Sequence, residues 1–183
     1  YAGVNRANAV IKLITDSADP TEFVQQNAEA RFLRGHFNFE LVKTFGSVPL
    51  ITSENYADQE FNQPNAAISA LYDAIEADFT YAKANLPSAY GPNYTQRGRP
   101  LSFAAAAFLG KAHLYQGEYA AALNELNIAM SGPYGLHPNQ LDNFKSATEN
   151  GVEAIFAIQY SADDAQSKQG NATGALNYTI GVG

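Results

Sequence analysis

Cysteine is absent from the 183 residues, which removes disulfides, thiolate nucleophiles and cysteine-ligated metals, although it assigns no compartment. Basic residues are scarce: 11 Lys plus Arg stand against 18 Asp plus Glu, so a phosphate-tracking surface has little to be built from and no nucleic-acid partner is expected. No stretch approaches the ~20 unbroken apolar residues of a membrane span, and no charged-then-apolar signal segment opens the chain. Tryptophan is missing, so Tyr and Phe supply the whole 12% aromatic content. With frequent Asn, that mixture suits carbohydrate contact, but it suits helix packing better. HExxH, GxSxG and P-loop patterns do not occur, and His36, His113 and His137 show no metal-ligand spacing. Neither a catalytic group, a metal nor a cofactor is therefore expected.

What is present is a hydrophobic content of 46%, enough for a substantial core in one domain. The organising stretch is Asn27 to Leu50, NAEARFLRGHFNFELVKTFGSVPL, a helix-periodic run that stops at Gly46 and leaves through an extended Val48-Pro49-Leu50. Leu33, Phe37, Leu41 and Phe45 form one stripe, and Phe32, Phe39 and Val42 a second. A helix so apolar must be buried from several sides. Gly35 in its middle points to a close neighbour, since an interior glycine otherwise costs about 1 kcal/mol relative to alanine.

Around it the chain reads as mainly α. A first helix runs over Ala2 to Ser17, with Val4, Ala7, Ile11 and Ile14 inward. Asp19-Pro20-Thr21-Glu22 restarts the chain with a capping carboxylate, a proline at the first position and Glu three residues on. A third helix is expected from about Pro64 to Asn85. The segment Pro87 to Pro100, with three prolines and two glycines, is a loop. Ser102 is the expected N-cap of a fourth helix, and Tyr119 to Met130 is the fifth. Phe103 opens a 34-residue tetratricopeptide register that places Leu109, Gly110, Gly117, Tyr119, Ala122 and Ala129 on its small and apolar positions. Gly110 and Ala122 would meet where the two helices cross. Gln140 to Ser146 reads as a short helix, Val152 to Tyr160 as a lone strand, and the remainder as an irregular tail. The expected organisation is one helical domain over 1–160, a tetratricopeptide-like α-α superhelix of about five helices with one short strand, followed by an irregular segment over 161–183.

Five segments stand in a familiar order: YAGVNRAN (1–8), AEARFLRGHFNFELVKTFGSVPL (28–50), IEADFTYAKANLP (75–87), GRPLSFAAAAFLGKAHLYQGEYAAAL (98–123) and ENGVEAIFAIQYS (149–161). Together they resemble the SusD/RagB-like glycan-binding lipoproteins of the Bacteroidetes outer membrane, the second segment most specifically. The resemblance implies non-enzymatic capture of extracellular oligosaccharide or polysaccharide and its delivery to a SusC-like TonB-dependent transporter barrel. It also implies a lipid anchor on the extracellular face of the outer membrane. In such proteins a lipidated cysteine precedes the first helix and a large half follows the last segment; this chain opens at Tyr1 inside a helical pattern, which points to a processed or truncated protein.

For the glycan contacts, Asn177 and Tyr178 are the first candidates, because the resemblance directs their segment toward the binding face. Tyr90, Tyr94 and Arg97 in the Pro87 to Pro100 loop follow, since tyrosines beside guanidinium groups can stack on and hydrogen-bond to sugars. Covering of the ends of the third and fourth helices is the preferred reading of Tyr90 and Tyr94. Arg31 and Arg34 are expected to pair with neighbours on packed helices rather than clamp a ligand, and His36 and His113 to be core histidines. Asp163-Asp164 is the densest acidic pair, but adjacent acids in a polar tail are ordinarily just solvated. The alternative function is a free-standing tetratricopeptide-type scaffold that binds another protein, supported by the Phe103 register and weakened by its single repeat.

Overall fold

In the computed structural model, which describes residues 1–54, 63–92 and 98–159, five α-helices follow one another in antiparallel succession. They are α1 (Ala2–Thr15), α2 (Val24–Phe45), α3 (Ile68–Asn85), α4 (Ser102–Gln116) and α5 (Tyr119–Met130). Each packs chiefly on its neighbours in sequence, α1 on α2, α2 on α3, α3 on α4 and α4 on α5, which is the order of an α-α superhelix. No helix among the described residues is long and apolar enough to cross a membrane.

The Asp19 cap forms, with Oδ1 accepting from the Thr21 backbone N–H at 2.9 Å. It opens a 3₁₀ turn, Pro20–Phe23, and α2 proper starts one residue later. Two helix starts differ from expectation. Residues 64–67 stay extended because the Ala66 N–H bonds to the Val48 carbonyl at 2.9 Å, holding the Val48-Pro49-Leu50 exit against this segment. Ser102 is the first residue of α4 and not its cap: Leu101 holds that position without a side-chain hydrogen bond, and the Ser102 N–H bonds to the Pro87 carbonyl. At the other end Gly117, with φ of 79°, ends α4 in the left-handed conformation, and the Glu118 N–H closes onto the His113 carbonyl.

The core lies between α2, α3 and α4. Ala28, Phe32, Phe39 and Val42 meet Leu71, Ile75, Phe79 and Ala82, with Ala104, Ala105, Leu109 and Ala112 beneath. Phe32 is fully buried, its ring 5.7 Å from Phe79, 5.3 Å from Phe108 and 5.0 Å from Phe156. Burial of such a side chain contributes about 2–3 kcal/mol. Of the two α2 stripes, the second is core, and from the first Leu41 packs against it. Leu33, Phe37 and Phe45 keep 37%, 36% and 69% of their surface. α1 and α3 flank the helix and leave this third face to form the wall of a cleft. Gly35 sits at the α2–α3 crossing, where a Cβ would lie 3.1 Å from Phe79 Cε1 and 3.3 Å from Asp78 Cβ.

The strand expected over Val152 to Tyr160 does not form in its described part, 152–159. Alternation alone cannot hold a strand without a partner, and among the described residues the segment makes a turn bond from the Ala154 N–H to the Gly151 carbonyl and one bond to a distant segment, from the Gly135 N–H to the Val152 carbonyl. Phe156 instead plugs into the aromatic cluster, while Val152 and Ile158 remain exposed. Gln140–Phe144 and Ser146–Thr148 are short 3₁₀ turns where one short helix was expected.

Candidate functional site

The most deeply buried polar group is a four-residue knot joining three helices. Asp78 of α3 is 1% exposed and receives a two-pronged bond from Arg34 of α2, Nε to Oδ2 and Nη2 to Oδ1, both 2.7 Å. Arg34 Nη1 also donates to Asn8 Oδ1 on α1, and Asn8 Nδ2 donates to the Ile51 carbonyl. Arg31 stands 3.7 Å from the same carboxylate, with its guanidinium 4.4 Å from the centre of the Tyr81 ring. Burial pushes the Asp78 carboxyl up, against the pull of Arg34 and Arg31 downward. Every charge here is spent on a protein partner, as the pairing expectation for Arg31 and Arg34 requires. Their partner is Asp78, however; Glu29 pairs with Arg99 at 2.5 Å.

The cleft beside α2 has a volume of about 500 Å³, and its walls include Leu33, His36, Phe37, Arg99, Phe156 and Ile158. His36 Nδ1 is buried and has no hydrogen-bond partner among the described residues, and the ring stacks edge-on against Phe108 at 5.4 Å. Burial holds the imidazole below its ordinary 6.5, Glu40 opposes this, and Lys111 and Lys43 add to it. Because the unfolded chain binds the proton more readily, stability is present above about pH 6.5 and falls as pH drops toward the folded-state value. His36→Phe should flatten that dependence: urea melts at pH 7.5 and pH 5 should give closer midpoints than for the parent chain, and equal slopes would contradict a buried neutral His36.

Of the candidate glycan contacts, only Tyr90 falls within the described residues. It is half-buried, and its hydroxyl donates to the Arg99 carbonyl at 2.9 Å, which fastens one side of the loop onto the other. Tyr94, Arg97, Asn177 and Tyr178 lie outside the described residues, as does Asp163-Asp164. Spacing in the sequence gives no sign of a second polar cluster. Glu76 on α3, His113 at the end of α4 and Glu118 before α5 converge, with His113 Nδ1 2.7 Å from Glu118 Oε2 and 3.5 Å from Glu76 Oε1. His113 is thus not a solitary core histidine. Only the register that stacks α3 against α4 brings Glu76 to it.

A family model described as "Starch-binding associating with outer membrane" matches residues 1–114. SusD-like protein P2 of Formosa agariphila is 28% identical over 182 residues, covering 93% of this chain and 34% of its own. Among solved structures, a laminarin-binding SusD-like protein superposes with a TM-score of 0.79 at 30% identity, over 88% of this chain and 36% of that one. A further structure, determined with a xylogluco-oligosaccharide, gives 0.75 at 25% identity over 88% of this chain and 34% of that one. The chain therefore spans about a third of the length of the relatives it matches. The three helices that hold the Arg34–Asp78 knot lie within the residues that the family model matches, and with that model covering well over half of the residues, the chain belongs to the SusD-like family.

Proposed function

We propose that this protein captures extracellular oligosaccharide or polysaccharide without chemically altering it and hands it to a SusC-like TonB-dependent transporter in the outer membrane, on whose outer face a lipid anchor holds it. The observation that carries this reading is the agreement, over one set of helices, between the starch-binding family model and the superposition on a laminarin-binding protein. The helices of 1–160 act as scaffold. Asn177 and Tyr178, with Tyr94 and Arg97, supply glycan contacts, and Tyr90 positions their loop.

Isothermal titration against a panel of β-glucans, starch oligosaccharides and host glycans tests the reading. Saturable binding to at least one class is expected, and Asn177→Ala/Tyr178→Ala should weaken it roughly tenfold, the loss of about one good hydrogen-bonded contact. Absence of binding to every glycan, with no transporter gene beside this one, would overturn the proposal.

One feature favours a protein contact as well. Leu114, Tyr115, Tyr119 and Leu123 stay 47%, 52%, 71% and 60% exposed along α4 and α5. In the proposed function this row faces the transporter. In the second reading, a free-standing tetratricopeptide-type scaffold, it would face a soluble protein, and recovery of such a partner in place of the barrel would favour that reading.

A further inference from the structure

We propose that Glu76, His113 and Glu118 form a binding site for one divalent transition-metal ion of the zinc class. Three structural elements contribute one donor each, and the three donor atoms all lie within 4.8 Å of one another. An imidazole with two carboxylates suits zinc, cobalt or nickel better than calcium or magnesium, which favour all-oxygen shells.

The charge balance points the same way. Among the described residues Glu76 and Glu118 pair with His113, and neither has a Lys or Arg ion-pair partner. Two carboxylates converge on one imidazole, a concentration of acidic donors that a divalent ion would offset.

The geometry requires little rearrangement. Metal–ligand bonds of about 2.0–2.2 Å put tetrahedral donors roughly 3.5 Å apart, the separation of His113 Nδ1 and Glu76 Oε1. Glu118 must withdraw by less than about 1 Å from its hydrogen bond, and its side chain is 52% exposed and free to do so. His113, at 14%, is held in place. Gln116 Nε2 donates to Glu76 Oε1 at 2.5 Å, the kind of outer hydrogen bond that orients a ligating carboxylate. A fourth position remains for water. An ion bound here would pin α3 to the turn between α4 and α5.

Cobalt(II) titration of the chain, followed by visible absorption and reversed with zinc, is the test. One equivalent should be taken up, and zinc should raise the melting temperature through its preference for the folded state. His113→Gln and Glu76→Gln should each weaken cobalt binding by more than about tenfold and abolish the zinc-induced shift, while His137→Gln leaves both intact. No uptake by the parent chain, or equal uptake by His113→Gln, would overturn the site in favour of a hydrogen-bonded helix end. Should either variant lose its helical circular dichroism, Glu118→Gln decides, because it keeps a hydrogen-bonding partner for His113 and removes the charge; undiminished affinity there also overturns the proposal.

Discussion

Asp78→Asn should lower the stability of the folded chain by about 3–5 kcal/mol, the range for removing one partner of a buried ion pair. The substitution is nearly isosteric, so the loss would come from electrostatics. Arg34, with a side chain only 14% exposed, would keep its charge and lose its anionic partner, since the amide oxygen can accept one of the two 2.7 Å bonds while the amide nitrogen faces the guanidinium as a second donor. Arg34→Met should cost a similar amount by stranding the carboxylate. The double variant Arg34→Met/Asp78→Leu should recover most of the loss, because a buried pair replaced by apolar groups of like volume is often neutral. Urea denaturation of the parent, Arg34→Met, Asp78→Leu and the double variant closes a cycle that gives the coupling directly. Single variants that each cost under about 1 kcal/mol would mean that water reaches the pair, as at an exposed salt bridge.

Gly110→Leu should destabilise by about 3 kcal/mol, near the upper end of overpacking costs. A Cβ at Gly110 would lie 2.9 Å from Leu126 Cγ, 3.1 Å from Leu126 Cδ2 and 3.2 Å from the Ala122 carbonyl oxygen. Leu126 could swing aside, but the Ala122 carbonyl is helix backbone and moves only if α5 moves. The melting temperature should fall by roughly 10 °C for a chain of this length. An unchanged melting temperature would mean that α4 and α5 do not cross at this glycine.

These two effects also mark what could and could not be read from the residues. The hairpin was legible because its signal is local: a positive-φ glycine at 117, small residues at 110 and 122, and a helix-periodic run that ends at Met130, where α5 ends. The knot was only half legible. Arg34 and Asp78 are 44 residues apart, and nothing in either segment names the other as partner. Apolar periodicity likewise could not choose between the two α2 stripes, since both are aromatic and aliphatic. The choice falls to α3, whose Phe79 meets Phe32 and Gly35 and whose Tyr72 meets Phe39.

The strand over Val152 to Tyr160 shows the opposite failure. Its alternation is real, but pairing is a property of two segments, and among the described residues no second strand pairs with 152–159. For the glycan contacts, the single described candidate, Tyr90, spends its hydroxyl on holding a loop closed. Glu29, Arg31 and Arg34 of α2, and Arg99 beside it, all engage other protein groups.

Capture without chemistry is the central claim, and equilibrium dialysis with chromatographic analysis of the sugar tests it in one measurement. With a laminarin or xyloglucan oligosaccharide on both sides of the membrane, the account predicts an excess of sugar on the protein side, stoichiometric with protein at saturation and unchanged in chain length. Equal concentrations of every sugar tried, or shortened products on the protein side, would contradict it.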